Sequence, residues 1–285
     1  MIQTSGPVEK AKGAAADVVE GVAHSRWVVR LARFGYAAKG LVYVVVGALA
    51  TLAAAGSGER PPDTNGALRS IARQQYGEIL LGIVAVGLVA YVVWRVVQAV
   101  GDVDEKGASA KGLAVRAGFL LSGLAYAGLA LTAARIVLHV RETGGDIRRS
   151  WTARLMAMPY GRWLVALAGA GVVAFGLFQI YKGYKAKFRK RLKLGEMPEE
   201  QHPWALLSGR VGYAARGVVF CVVGVFLVQA ARHYDPGEVV GLDGALQALT
   251  ERSFGPFILG AVAVGLVAYG LYMFVEARYR KIGKQ

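Results

Sequence analysis

The sequence predicts an all-α, polytopic integral membrane protein whose six transmembrane helices form three tandem helical-hairpin repeats of one orientation. Three observations predict it: six long uncharged blocks, a glycine–aromatic pattern written three times, and lysines confined to alternate connections.

The blocks come first. Of 285 residues, 55% are hydrophobic and 19% charged, against about 25% charged in an ordinary soluble domain. The mean hydropathy is +0.40. Residues 40–55, 79–94, 117–134, 163–178, 217–231 and 256–275 are almost free of charge. About 20 apolar residues cross a bilayer core as helix, and each block reaches that length with a few flanking residues. A soluble bundle would need polar stripes on its outer helix faces; "ILLGIVAVGLVAYVVW" and "LVALAGAGVVAFGLF" have none. Near the N-terminus, Asp17 and Glu20 interrupt the alanines and valines, so a cleaved signal is not expected and the first crossing should direct insertion. The single cysteine, Cys221, allows no intrachain disulfide and no thiolate metal cluster.

The repeat follows from register. Arg33-x-Gly35-Tyr36 returns as Arg116-x-Gly118-Phe119 and as Arg210-x-Gly212-Tyr213. Gly40, Gly123 and Gly217 each follow five residues after the first glycine, with Tyr43, Tyr126 and Phe220 three further on. Gly77, Gly161 and Gly255 open the second block of each copy; Gly87, Gly171 and Gly265 follow ten residues later, and Tyr91, Phe175 and Tyr269 four beyond those. A glycine on a helix face lets another backbone approach, and in lipid such small-residue contacts supply much of the packing. The chain therefore divides into an N-terminal segment (1–26), repeat 1 (27–100), a linker (101–110), repeat 2 (111–183), a basic loop (184–202), repeat 3 (203–278) and a tail (279–285).

Charge gives the orientation. Two crossings per copy make the repeats parallel. Apart from Lys39, every lysine lies before the first crossing, between the second and third, between the fourth and fifth, or after the sixth. The positive-inside rule makes both termini and these connections cytoplasmic. The densest basic run, "YKGYKAKFRKRLKLG", is expected to anchor this topology against anionic lipid headgroups. It has no zinc finger, recognition helix or ribonucleoprotein signature, so nucleic acid is not an expected partner.

Lys39 and Arg216 occupy equivalent places inside crossings, with Ser122 at the third. Lys39 lies about 9 Å deeper than Arg33 at 1.5 Å per residue, within snorkelling reach of the interface. The expectation is a pair of snorkelling anchors; the alternative is a polar pocket that contacts an anion or a lipid headgroup. His139 and His233 are also equivalent, at the outer helix ends, where they could approach each other as an outer-face polar site; too few ligands accompany them for a metal centre. Trp27 and Trp204 should belong to short interfacial helices, the latter opened by His202-Pro203. Asn65 and Asp243 fit N-caps of short outer helices. Arg95, Gln98, Gln179 and Glu276 read as ordinary polar residues near inner helix ends. No Walker motif, dinucleotide fingerprint, HExxH or nucleophile elbow is present.

With these motifs laid out, the chain resembles the Domain of Unknown Function 1206 family, bacterial membrane proteins of three tandem two-helix modules, over about residues 27–280. Repeats 1 and 3 carry the pattern most fully; repeat 2 departs in Ser122 and lacks the "GAL" loop motif of Asn65 and Asp243. The resemblance implies placement in a bacterial inner membrane and transfers no reaction, cofactor or catalytic residue. The expected role is a non-enzymatic scaffold or partner- and lipid-binding protein, working as a homo-oligomer or with a membrane-protein partner. A small transporter or channel with a path between the hairpins is the alternative. The orientation is testable: with Cys221→Ala, a cysteine placed at Lys190 should react with an impermeant maleimide only after the membrane is opened, and labelling of intact cells would overturn it.

Overall fold

The computed structural model describes residues 26–56, 64–104, 106–140, 147–251 and 254–281, with no side chains for 147–151. Among these, the six long helices are α1 (Arg26–Ala54), α3 (Gly77–Val100), α4 (Ala110–Val137), α6 (Gly161–Tyr184), α7 (Gln201–His233) and α9 (Gly255–Tyr279). All six are long and apolar enough to cross a membrane. Shorter helices precede the second crossing of each repeat: α2 (Thr64–Ala72), α5 (Ile147–Met156) and α8 (Leu242–Thr250). Residues 1–25 of the N-terminal segment, with Lys10 and Lys12, and Glu142, Asp146 and Lys284 lie outside the described residues.

The crossings pack in the order α4, α3, α1, α9, α7, α6. Side chains from α1, α3, α4 and α9 converge on Lys39, and those of α1, α7 and α9 on Arg216. The row therefore curls into an incomplete ring, and its two free ends are the two helices of repeat 2.

Glycines set the close joints. Within repeat 1, a Cβ on Gly35 would stand 2.6 Å from the Tyr91 nitrogen; within repeat 3, a Cβ on Gly212 would stand 2.5 Å from the Tyr269 Cα. In the same two joints Gly87 receives the methyl of Ala38, and Gly265 that of Ala215. Between repeats, Gly40 meets Gly270 and Gly217 meets Gly176, a Cβ on either first glycine falling 2.7 to 2.8 Å from the opposing carbonyl oxygen. The joint of α3 with α4 is looser, with Arg95 Cβ 3.3 Å from the position a Cβ on Gly123 would take.

Repeat 2 departs from the expected hairpin. Gly118 and Gly171 carry the motif, yet nothing lies within 4 Å of where their Cβ atoms would be; α4 packs on α3 and α6 on α7. Leu121 stands where the other repeats have Ala38 and Ala215. A leucine cannot enter a notch that already fits a methyl group tightly, so the joint stays open and Leu121 is 68% exposed.

The short helices α2 and α8 bury matching stripes, Ala67, Leu68 and Ile71 in one and Ala245, Leu246 and Leu249 in the other. Their following glycines are dictated by space: a Cβ on Gly77 or Gly255 would collide with the carbonyl oxygen of Ile71 or Thr250. Asp243 is the second residue of α8, whose N-cap is Gly241, and Asn65 is the second residue of α2. Both therefore fall in the first turn rather than at the cap; an acid there still faces the positive end of the helix dipole. Nor do Trp27 and Trp204 sit on separate interfacial helices. They belong to α1 and α7, which run unbroken into their crossings, and Pro203 fits the first turn of α7 where no donor is lost.

At the lysine-rich end, the connection after α6 folds over the ring. Phe188 is fully buried against Tyr213 and Tyr272, its ring filling the space beside Gly209. Main-chain bonds from Lys193 N to Tyr279 O (2.8 Å) and Lys281 N to Arg191 O (2.9 Å) tie this segment to the end of α9.

The glycine joints make a paired prediction. Gly212→Val should destabilise the protein by about 1–3 kcal/mol, because the opposing atoms are backbone. Gly118→Ala should stay within about 0.5 kcal/mol of the parent. Thermal unfolding in detergent separates the two.

Candidate functional site

The centre of the ring is a cluster of tyrosines enclosing cations. Lys39 is 1% exposed and its Nζ donates to Tyr91 Oη at 3.1 Å. The ammonium lies 4.9 Å from the ring centres of Tyr91 and Tyr126, 5.4 Å from Tyr269 and 6.0 Å from Tyr43. It does not snorkel. The close joints of α1 with α3 and α9 leave the lysine facing inward, and four aromatic faces replace part of its hydration.

Arg216, the equivalent residue of repeat 3, donates from Nη1 to Tyr269 Oη at 3.1 Å. Its guanidinium stands 4.9 Å from the ring centre of Phe220, 5.1 Å from Tyr269 and 5.9 Å from Tyr43. Its Nε is buried and has no hydrogen-bond partner. Arg95 completes the cations, bonding Tyr91 Oη through Nε at 2.8 Å and through Nη2, and Gln98 Oε1 through Nη1 at 2.9 Å. Among the described residues no carboxylate pairs with Lys39, Arg95 or Arg216.

The matched motif aromatics fall into two environments. Tyr91 and Tyr269 are buried in this centre; Tyr91 packs edge-to-face on Tyr126, Tyr269 on Tyr43 and Tyr213, and the Tyr126 hydroxyl donates to that of Tyr43 at 3.3 Å. Phe175, their counterpart in repeat 2, is 44% exposed and packs on Phe220. The leading arginines take no part in the centre: Arg33 and Arg210 are exposed, and Arg116 donates to the carbonyls of Ala99 and Val100.

Toward the lysine-rich end lies a second polar layer. Arg280 is buried, with Nη1 3.2 Å from Glu276 Oε1, Nη2 3.8 Å from Asp104 Oδ2, and its guanidinium over Tyr36. Gln98 Nε2 donates to Asp104 Oδ2 at 3.2 Å, and Lys182 Nζ donates to Tyr213 Oη at 2.7 Å. Burial would raise the Asp104 carboxyl, but the Arg280 and then the Arg191 guanidinium outweigh it and hold it below the ordinary range. Gln98, Gln179 and Glu276, expected from their place near helix ends to be ordinary polar residues, are all buried. A signal existed: Gln98, Lys182 and Glu276 each stand 21 residues after the opening glycine of their repeat.

The same end carries an open cleft of about 770 Å³. Lys185, Lys187, Arg189, Lys190, Lys193, Arg210 and Lys281 line it with a single carboxylate, Glu196. Glu196 accepts from Lys193 at 2.9 Å, which leaves six cations without a counterion in the lining. At the other end, the two histidines do not form one site. His139 Nε2 is 3.2 Å from Glu78, and His233 Nδ1 is 2.7 Å from Glu238. Among the described residues no group of three metal-ligating side chains occurs.

The family model described as Domain of Unknown Function (DUF1206) matches three times, at residues 34–102, 117–186 and 211–280. A protein of Bacillus subtilis (strain 168), "Uncharacterized protein YxxB", is 37% identical over 254 residues, covering 89% of this chain and 92% of that protein. No solved structure matches the chain.

Asp104→Asn tests the second layer. Because the carboxyl is depressed in the fold, its contribution is full above the ordinary carboxylate range near pH ~4 and fades as pH falls through the lower folded value. The variant should lose on the order of 1–3 kcal/mol at neutral pH, and the gap should close in acid. Unfolding temperatures measured against pH give the answer; a constant gap would count against the pairing.

Proposed function

Since the chain belongs to the Domain of Unknown Function (DUF1206) family, which carries no assigned reaction, we propose a role from its own geometry. It is a non-enzymatic, multi-pass protein of the bacterial inner membrane that gathers anionic lipid at its cytoplasmic face. The observation that carries this reading is the basic cleft, where seven cations face one carboxylate. Each basic residue near an anionic leaflet contributes about 1 kcal/mol of attraction. The segment that holds them is fastened by Phe188 and by main-chain bonds, so the charges are presented together on a rigid support. The lysine bias supports a cytoplasmic position for this end, the six long apolar helices support a membrane protein, and the Bacillus relative supports a bacterial source.

A transporter or channel gains less support. Tyr36, Tyr91, Tyr269, Tyr272 and Lys39 fill the ring as fully buried side chains, and Phe188 covers its lysine-rich end.

The reading predicts a selective stabilisation. Phosphatidylglycerol added to the detergent-solubilised protein should raise the unfolding temperature more than phosphatidylcholine, since a ligand of the native state stabilises by mass action. The triple variant Lys187→Gln, Lys190→Gln, Lys193→Gln should lose that preference. Equal shifts with both lipids in the parent protein would sink the proposal.

A further inference from the structure

The open joint of the ring lies beside the least satisfied cation of its centre, and from this we infer a second, intramembrane ligand site. The ligand is an amphiphilic oxyanion, a carboxylate or phosphate on a hydrocarbon chain. It enters sideways from the bilayer between α4 and α6 and sets its headgroup on Arg216. The site does not rest on the basic cleft, which lies at the end of the bundle and involves other residues.

Hydrogen bonding makes the first argument. A guanidinium has five N–H donors and no acceptor. Arg216 bonds Tyr269 through Nη1 and lies beside the Tyr43 hydroxyl, while its Nε is buried without a partner, an arrangement that is costly for a charged donor. Arg95 is better served, bonding both Tyr91 and Gln98, and the single nitrogen of Lys39 is bonded to Tyr91. Charge makes the second argument. Among the described residues, three cations converge with no carboxylate paired to any of them, Lys39 fully buried and Arg95 and Arg216 partly so, and a charge withdrawn from water needs a counter-charge.

Access makes the third. The two joints equivalent to the open one are sealed by Gly35 and Gly87 in repeat 1 and by Gly212 and Gly265 in repeat 3. In repeat 2 nothing lies within 4 Å of where a Cβ on the matching Gly118 or Gly171 would stand. Leu121, which replaces the sealing alanine, directly precedes Ser122, the counterpart of Arg216. The gap therefore falls at the register of the cations. Phe175, exposed on α6, packs on Phe220, whose ring lies 4.9 Å from the Arg216 guanidinium. Apolar side chains at the lipid side and an unsatisfied guanidinium within suit a molecule with a hydrocarbon tail and an anionic head.

The test places a bimane label on Phe175→Cys in a Cys221→Ala background and reconstitutes the full chain with brominated amphiphiles. Dibromo-phosphatidic acid and dibromostearate should quench the label at mole fractions about tenfold lower than dibromo-phosphatidylcholine, the scale of one charge-assisted hydrogen bond. Arg216→Gln should abolish that preference, and the triple lysine-to-glutamine variant of the cleft should keep it. Equal quenching by anionic and neutral lipid, or a label shielded from both as a second copy of the chain would shield it, overturns the proposal. So does displacement of the brominated anion by millimolar inorganic phosphate, which would assign the seat to a free ion. Should Arg216→Gln fail to fold, native mass spectrometry of the cleft variant decides instead. One retained anionic amphiphile in preference to phosphatidylcholine supports the site, and no such preference ends it.

Discussion

Hydrocarbon gives helices no reason to hide apolar surface from it, so whatever holds this ring together must come from contact at short range. The glycine joints meet that constraint. Where Gly35, Gly40, Gly212 and Gly217 lie, backbones approach until a single added carbon would collide with main-chain atoms of the neighbouring helix. Dispersion attraction falls off steeply with a small radial gap, so this closeness is what makes the contacts add up. It also fixes the size of the centre. Helices held this near leave room for rings and little else, and Tyr91 and Tyr269 come from the very turns that the glycines accommodate.

That narrow centre explains the conduct of the charges. Lys39 has the length to reach an interface, but its helix face is turned inward, and the tyrosine faces and hydroxyls solvate it there. The layer nearer the lysine-rich end solves the same problem with carboxylates, since Glu276 and Asp104 flank Arg280. One molecule thus stabilises buried cations by two means, aromatic faces deep within the ring and ion pairs at its end. The first is weaker per contact and leaves net charge uncancelled; the second neutralises it.

Much of this was legible beforehand. Block length and the absence of polar stripes give the six crossings, and register gives the three copies and the matched glycines. The inward turn of Lys39 was not legible, because distance along a helix measures depth and says nothing of which neighbour faces the residue. The same holds for Trp27 and Trp204, whose proximity to the crossings did not reveal that the helices run on unbroken. The break in repeat 2 was half visible. Ser122 marked that copy as different, but the residue that matters for packing is its neighbour Leu121, and its effect depends on knowing that Ala38 and Ala215 sit in glycine notches. His139 and His233 share a register yet find separate acidic partners, so equivalence in a repeat does not bring two side chains together.

The basic connection after α6 owes its position to the buried side chains of Phe188, Leu192 and Met197 and to amide–carbonyl bonds with residues 279 and 281. Neither kind of fastening asks anything of the lysines themselves. Their number and spacing are therefore free to drift without unseating the segment, and related chains can retune how strongly they grip a negatively charged surface while the scaffold beneath stays the same.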